Sequence, residues 1–358
     1  MSIRCGMLWL LLACTAPLDD PSRPGPIGSV VGDATAADTA TDPPTGGTAP
    51  TGRPTQLSGA TAVTADTAPP RPTFDCRQVP EQPGVEVMLD GPRGYNDVVF
   101  LDDGDLVGSD ESALLRSATA ADREVFVPGV GQIYKLDRLP DGDLVMSRSE
   151  SAGGGVLRVT PDGGQTVLAA GLLGHGMAVG PHGAIWLATN YTAGAEAIFR
   201  IDPATGDAEL MVDATFAPPR DIAFHPDGTR LYWGTLNGGE IWGVTLDASG
   251  APLPDAQLVA TVPEGWHDTV EVDACGNLYV GSVFESAIYR VFTDGRLQLL
   301  ADWSFDDYGH GLAWGEGGAW DEQTIYVAHP YVGSRVSELF LGVPGPRWDG
   351  EVTHSGRL

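Results

Sequence analysis

The chain has 358 residues, and its 48 Asp and Glu outweigh 20 Lys and Arg for a formal net charge of −28. So acidic a surface argues against nucleic acid and anionic lipid headgroups as partners, and attracts cations mainly as a diffuse atmosphere. No stretch reaches the roughly 20 apolar residues that a membrane-spanning helix needs.

The chain opens with "MSIRCGMLWLLLACTAP". Arg4 is a short positive region, residues 7–12 are a short apolar core, and Leu11-Leu12-Ala13-Cys14 closes it. This resembles the bacterial lipoprotein signal. The resemblance implies that residues 1–13 are removed and that Cys14 carries the lipid. Acyl chains would then anchor the protein in the bacterial cell envelope, its body in water. Residues 14–73 are rich in Thr, Ala, Pro, Gly and Asp, with almost no large apolar side chains. Such a segment cannot bury enough surface to offset its ordering entropy, which predicts a disordered tether extended by its prolines. With Cys5 in the signal and Cys14 lipidated, Cys76 and Cys275 remain as a candidate disulfide. No C-x-x-C is present, which argues against a cysteine zinc site.

Residues 74–358 carry repeats. Turns centred on Asp103-Gly104, Asp141-Gly142, His182-Gly183, Asp227-Gly228, Cys275-Gly276 and Gly317-Gly318 recur along the chain. Each precedes a short strand, and the six strands share one pattern ("DLVGSD", "DLVMSR", "AIWLAT", "RLYWGT", "NLYVGS", "TIYVAH"). A third strand follows in every unit, and a fourth in the first five. Four short antiparallel strands with Gly-rich turns predict one propeller blade, and six units predict a six-bladed all-β propeller. The sixth unit lacks its fourth strand. The segment "GVEVMLD" before the first unit is expected to supply it and close the ring. The Trp320-Asp321 and Trp348-Asp349 pairs fall at no repeating position. The Asp-Gly-Asp turns at 103–105 and 141–143 fit hairpin chemistry without calcium.

The first strand of each blade lines the central channel. Eight residues before the turn glycines stand Asn96, Tyr134, His175, Arg220, Asp268 and His310. Small or apolar residues follow them ("DVVF", "GMAV", "DIAF", "GLAW"), which predicts a polar ring above a mostly apolar interior. Blade two, "QIYKLDRLPDG", fits this pattern least. Two imidazoles and a carboxylate suit a divalent metal, so His175, Asp268 and His310 are the candidate ligands, with Asn96 as an oxygen donor. Zinc suits the imidazoles best, with calcium or manganese as the other choices. Asp268, Arg220, Tyr134 and His267 are the candidate catalytic residues. Arg220 would hold an anionic group and Tyr134 would move a proton, while His267 and Glu271 flank Asp268 as second-layer or general-base candidates. A hydrated polar channel, or a binding propeller without catalysis, explains the same residues.

The stretch "HDTVEVDACGNLYVGS" resembles the six-bladed superfamily of the NHL-repeat and senescence-marker-protein/gluconolactonase proteins. The resemblance implies that Asp268 binds a divalent metal and assists a lactonase-like hydrolysis. At two further ligand positions this family has Glu and Asn where this chain has Asn96 and Arg220. "GHGMAVGPHGAIWLAT" is similar to His-Gly strands of the peptide-amidating and streptogramin B lyases. The expected activity is thus a metal-dependent hydrolase or lyase acting on a small molecule or peptide end, in a monomer that touches membrane only through its lipid.

Overall fold

The computed structural model describes residues 74–84, 86–93, 96–110, 112–190, 196–263, 267–283, 286–303, 309–330 and 335–346. The leader, Cys14, the tether and the Trp348-Asp349 pair lie outside the described residues. Twenty-four strands form six four-stranded antiparallel sheets. β1 is Val87–Arg93. Blade one is β2–β5 (Val98–Phe100, Leu106–Ser109, Ala113–Ser117, Glu124–Pro128), and blade two is β6–β9 (Ile133–Arg138, Leu144–Arg148, Val156–Val159, Gln165–Leu168). Blade three is β10–β13 (Gly174–Val179, Ile185–Thr189, Ala197–Ile201, Ala208–Asp213), and blade four is β14–β17 (Pro219–Phe224, Arg230–Thr235, Glu240–Thr245, Gln257–Thr261). Blade five is β18–β21 (His267–Val272, Leu278–Ser282, Ala287–Val291, Leu297–Asp302), and β22–β24 (Gly311–Trp314, Thr324–His329, Arg335–Phe340) belong to blade six.

The sixth sheet runs β1-β24-β23-β22, so the N-terminal strand is its outer strand, as the leftover segment predicted. Val87 pairs with Glu338 and Met88 with Ser337. Each first strand touches the next around the circle, including β22 against β2. The fold is a closed six-bladed propeller.

Six apolar clusters fill the six interfaces between neighbouring blades. Trp186 and Ile198 of blade three, for example, meet Phe224 and Trp233 of blade four. Adjacent residues of one second strand serve different interfaces: Leu106 packs toward blade six and Val107 toward blade two. Side chains alternate along a strand and both faces are covered, which is why these strands read as unbroken apolar runs. Trp320 is buried between blades six and one, edge-on to Phe100 and Tyr326. That packing accounts for its presence at a position no other blade repeats.

The Asp-Gly-Asp turns of blades one and two are held by arginines from their third strands. Arg116 binds Asp103 at 2.6 Å, and Arg158 binds Asp141 and Asp143 at 2.6 Å each. Cys76 and Cys275 form a disulfide. It ties the start of the domain to the β18–β19 turn, 199 residues away in sequence.

Candidate metal centre

Four of the six first strands share a local irregularity at the site. Register shifts fall between Ile133 and Lys135, Gly174 and Met177, Pro219 and Asp221, and His267 and Thr269. Tyr134, His175, Arg220 and Asp268 each sit inside such a shift. A β-bulge breaks the two-residue alternation and re-aims a side chain. Both the ring residue and its successor can therefore serve the channel.

The structure brings His175, Asp268 and His310 together from blades three, five and six, with one ligand atom of each within 4.8 Å of the others. All three are buried. Arg220 Nε donates to Asp268 Oδ1 at 2.7 Å, and Asp268 Oδ2 lies 3.8 Å from His310 Nε2. Tyr134 stacks on His175 with ring centroids 4.8 Å apart, and His175 lies 5.3 Å from the His310 ring. Burial, with Arg220 and His310 adding to it, holds the His175 pKa well below the usual histidine value. Burial also lowers that of His310, against the pull of Asp268. Both rings are therefore neutral at pH 7, the form that ligates.

The remaining candidates are placed differently. Asn96 is half-buried just before β2, its backbone amide donating to the Ser109 carbonyl. His267 points to blade four: a Cβ on Gly234 would lie 2.9 Å from its own Cβ. The His267 imidazole is fully buried, and burial lowers its pKa to about 4. The structure thus separates His267 from the group that Asp268 joins, because successive residues of the strand leave on opposite sides. Glu271 does face the channel, but deeper, against Lys135 rather than Asp268.

The expectation of an apolar interior below the ring is overturned. The next layer holds Asp97, Lys135 and Asp221, with Glu271 beside them. Lys135 Nζ meets Asp221 Oδ2 at 3.1 Å, Thr269 Oγ1 at 3.3 Å and Glu271 Oε1 at 3.3 Å. Carboxylates here also stitch blades together. Asp97 accepts from Leu136 N at 2.6 Å, Asp137 from Val179 N at 2.6 Å, and Asp221 from Val270 N at 2.9 Å. Sequence reasoning passed over this layer because strict alternation would have sent these residues away from the axis. The signal was present in blade two, whose Lys135 and Asp137 spoil the apolar pattern.

The His-Gly pairs also find their cause. A Cβ on Gly176 would stand 2.5 Å from Asp221 Oδ1 and 2.6 Å from the Arg220 carbonyl oxygen. One on Gly311 would overlap the Asp97 carboxylate and lie 2.8 Å from its Cα. Each histidine is followed by glycine because an aspartate of the next blade fills the space.

Residues 175–305 match the family model described as the SMP-30/Gluconolactonase/LRE-like region. The match covers less than half of the chain. The match begins at His175, takes in Arg220 and Asp268, and ends short of His310. Among solved structures, a gluconolactonase from Xanthomonas campestris is 18% identical, with a TM-score of 0.59 over 72% of this chain and 89% of that one. The calcium-binding protein regucalcin from Agrobacterium tumefaciens is 20% identical, with a TM-score of 0.57 over 74% and 95%. A streptogramin B lyase is 15% identical, with a TM-score of 0.52 over 71% and 96%. At these identities the likeness is one of fold. No curated protein sequence matches the chain.

Of the ligand positions implied by the gluconolactonase resemblance, the structure keeps Asp268 at the centre, pairs Arg220 with it, and adds two histidines. The donor set fits a divalent cation. It offers two neutral imidazoles and one carboxylate on converging strands, and His310 Nδ1 is buried without a hydrogen-bond partner among the described residues.

Proposed function

We propose that this gluconolactonase-like propeller is a divalent-metal-dependent hydrolase or lyase acting on a small molecule or peptide end at the channel mouth. The convergence of His175, Asp268 and His310 from three blades carries the reading. A divalent ion held by these residues would polarise a carbonyl or make a water more acidic. Tyr134, stacked on His175, fixes the plane of that ring. Arg220 holds one oxygen of Asp268 and so leaves Oδ2 turned toward His310. Its guanidinium also adds positive charge beside the site, suited to a substrate with a carbonyl or carboxylate oxygen.

Zinc should stabilise the metal-free domain at lower concentration than manganese or calcium, because imidazole ligands favour transition metals. The expected gain is about 2.7 kcal/mol at a hundredfold excess over Kd, read as a rise in Tm. His310→Ala should abolish most of that rise while the domain still melts cooperatively. A Tm indifferent to all three ions, with no metal in the purified protein, would leave the second reading: a binding propeller whose mouth is a polar network around the Arg220–Asp268 ion pair.

The place of action we propose is the cell envelope, reached through a lipid on Cys14. Feeding cells a tagged fatty acid should label the wild-type protein and leave Cys14→Ala unlabelled. Label retained by Cys14→Ala would remove the lipoprotein reading.

A further inference from the structure

Below the ring lies a second constellation that the proposed activity does not use. Lys135 is 5% exposed, in the middle of the channel wall. Its ammonium is surrounded by oxygen atoms from two other blades: Asp221 Oδ2 of blade four, and Thr269 Oγ1 and Glu271 Oε1 of blade five, at 3.1, 3.3 and 3.3 Å. Asp97 of blade one adds its charge without a direct contact. Its Oδ1 is fully buried and has no hydrogen-bond partner among the described residues. Burial works to lower the Lys135 pKa, but the attraction of Asp221, Asp97 and Glu271 outweighs it and raises the value well above the usual lysine range. The carboxylates are in excess. Burial pushes Asp97 up to about 7 and Glu271 up to about 8 even with Lys135 opposing it.

We infer that the layer beneath the ring is a hard-cation site that the chain fills with its own Lys135 ammonium. The donors are oxygens only, from two carboxylates and a hydroxyl, with a third carboxylate close by. Such a set suits calcium, in contrast to the imidazole-rich ring above it. Ammonium–oxygen distances of 3.1–3.3 Å would have to contract by about 0.8 Å to reach calcium–oxygen distances. Water in the space of the lost side chain can complete the coordination. In the native protein the lysine makes the scaffold independent of free calcium. It also ties together strands that carry ring residues. Its backbone amide donates to Ser147 Oγ at 3.0 Å, and that hydroxyl donates to the His175 carbonyl at 2.7 Å. Its ammonium reaches the neighbours of Arg220 and Asp268. This inference holds whether or not the ring itself takes a metal.

The test uses the full chain with Lys135→Ala, and Lys135→Met, which keeps the apolar stem. Calcium binding is measured by equilibrium dialysis and Tm is followed against calcium. Both variants should melt below the wild type in chelator. Each should bind one more calcium per chain than the wild type, and Tm should rise by about 5 °C at a hundredfold excess over Kd. Adding Asp221→Asn to Lys135→Met should erase the extra calcium. Wild-type protein should show no calcium-dependent gain beyond what His310→Ala removes, which separates this layer from the ring. If neither lysine variant binds extra calcium nor gains stability from it, the inference is overturned. Variants that stay insoluble in calcium overturn it equally.

Discussion

Alanine at Gly176 or Gly311 is expected to cost the domain at least about 3 kcal/mol, read as a lower urea midpoint at unchanged slope. Neither glycine is required by backbone conformation, since neither has positive φ. What they lack is room. At Gly176 the added carbon meets the Asp221 carboxylate and the Arg220 carbonyl, both part of a strand pinned by the Asp221 bond to Val270 N. At Gly311 it meets Asp97, pinned in turn by Leu136 N. Neither aspartate can retreat without breaking a buried bond between blades, so relief of the overlap costs a hydrogen bond as well as packing. Gly163→Ala is the control. Gly163 sits in an exposed turn with φ of +87° and open space, so its alanine should cost only about 1 kcal/mol in backbone strain. Equal losses at all three positions would show that blade contact is not what fixes the His-Gly pairs.

Deleting residues 84–90 should cost on the order of 4 kcal/mol and lower solubility. The segment does more than add hydrogen bonds to β24. Leu89 packs on the cluster between blades six and one. Glu86 accepts from Trp303 Nε1 of the loop after β21 and from Ser337 Oγ of β24, with His329 Nε2 3.6 Å away. Removing it strands buried polar groups and bares the edge of β24. Deleting residues 15–71 should change neither Tm nor solubility. Matching melting curves for the two deletions would mean that closure does not depend on β1.

The architecture was legible because the turn glycines recur at near-constant spacing, and because one strand was left over at the start and one place empty at the end. The ring was legible by counting back from those turns: His175, Asp268 and His310 converge, with Tyr134 stacked on one and Arg220 bonded to another. What lay hidden follows from the bulges. A residue inserted into a strand leaves hardly any trace in the sequence, yet it decides whether Lys135 and Asp221 face a neighbour or the axis. His267 shows the opposite failure. Proximity in sequence to Asp268 suggested partnership, while the strand turned it toward Gly234.

The disulfide has a mechanical consequence. Cys76 precedes β1, which begins only at Val87. Tension arriving along the chain from the N-terminal side enters the domain at Cys76 and crosses a covalent bond to Cys275 in blade five. Without that bond, the same pull would fall on β1 and peel it from β24 one hydrogen bond at a time, opening the ring at its seam. With it, the strand that closes the circle lies outside the load path of any pull applied ahead of Cys76.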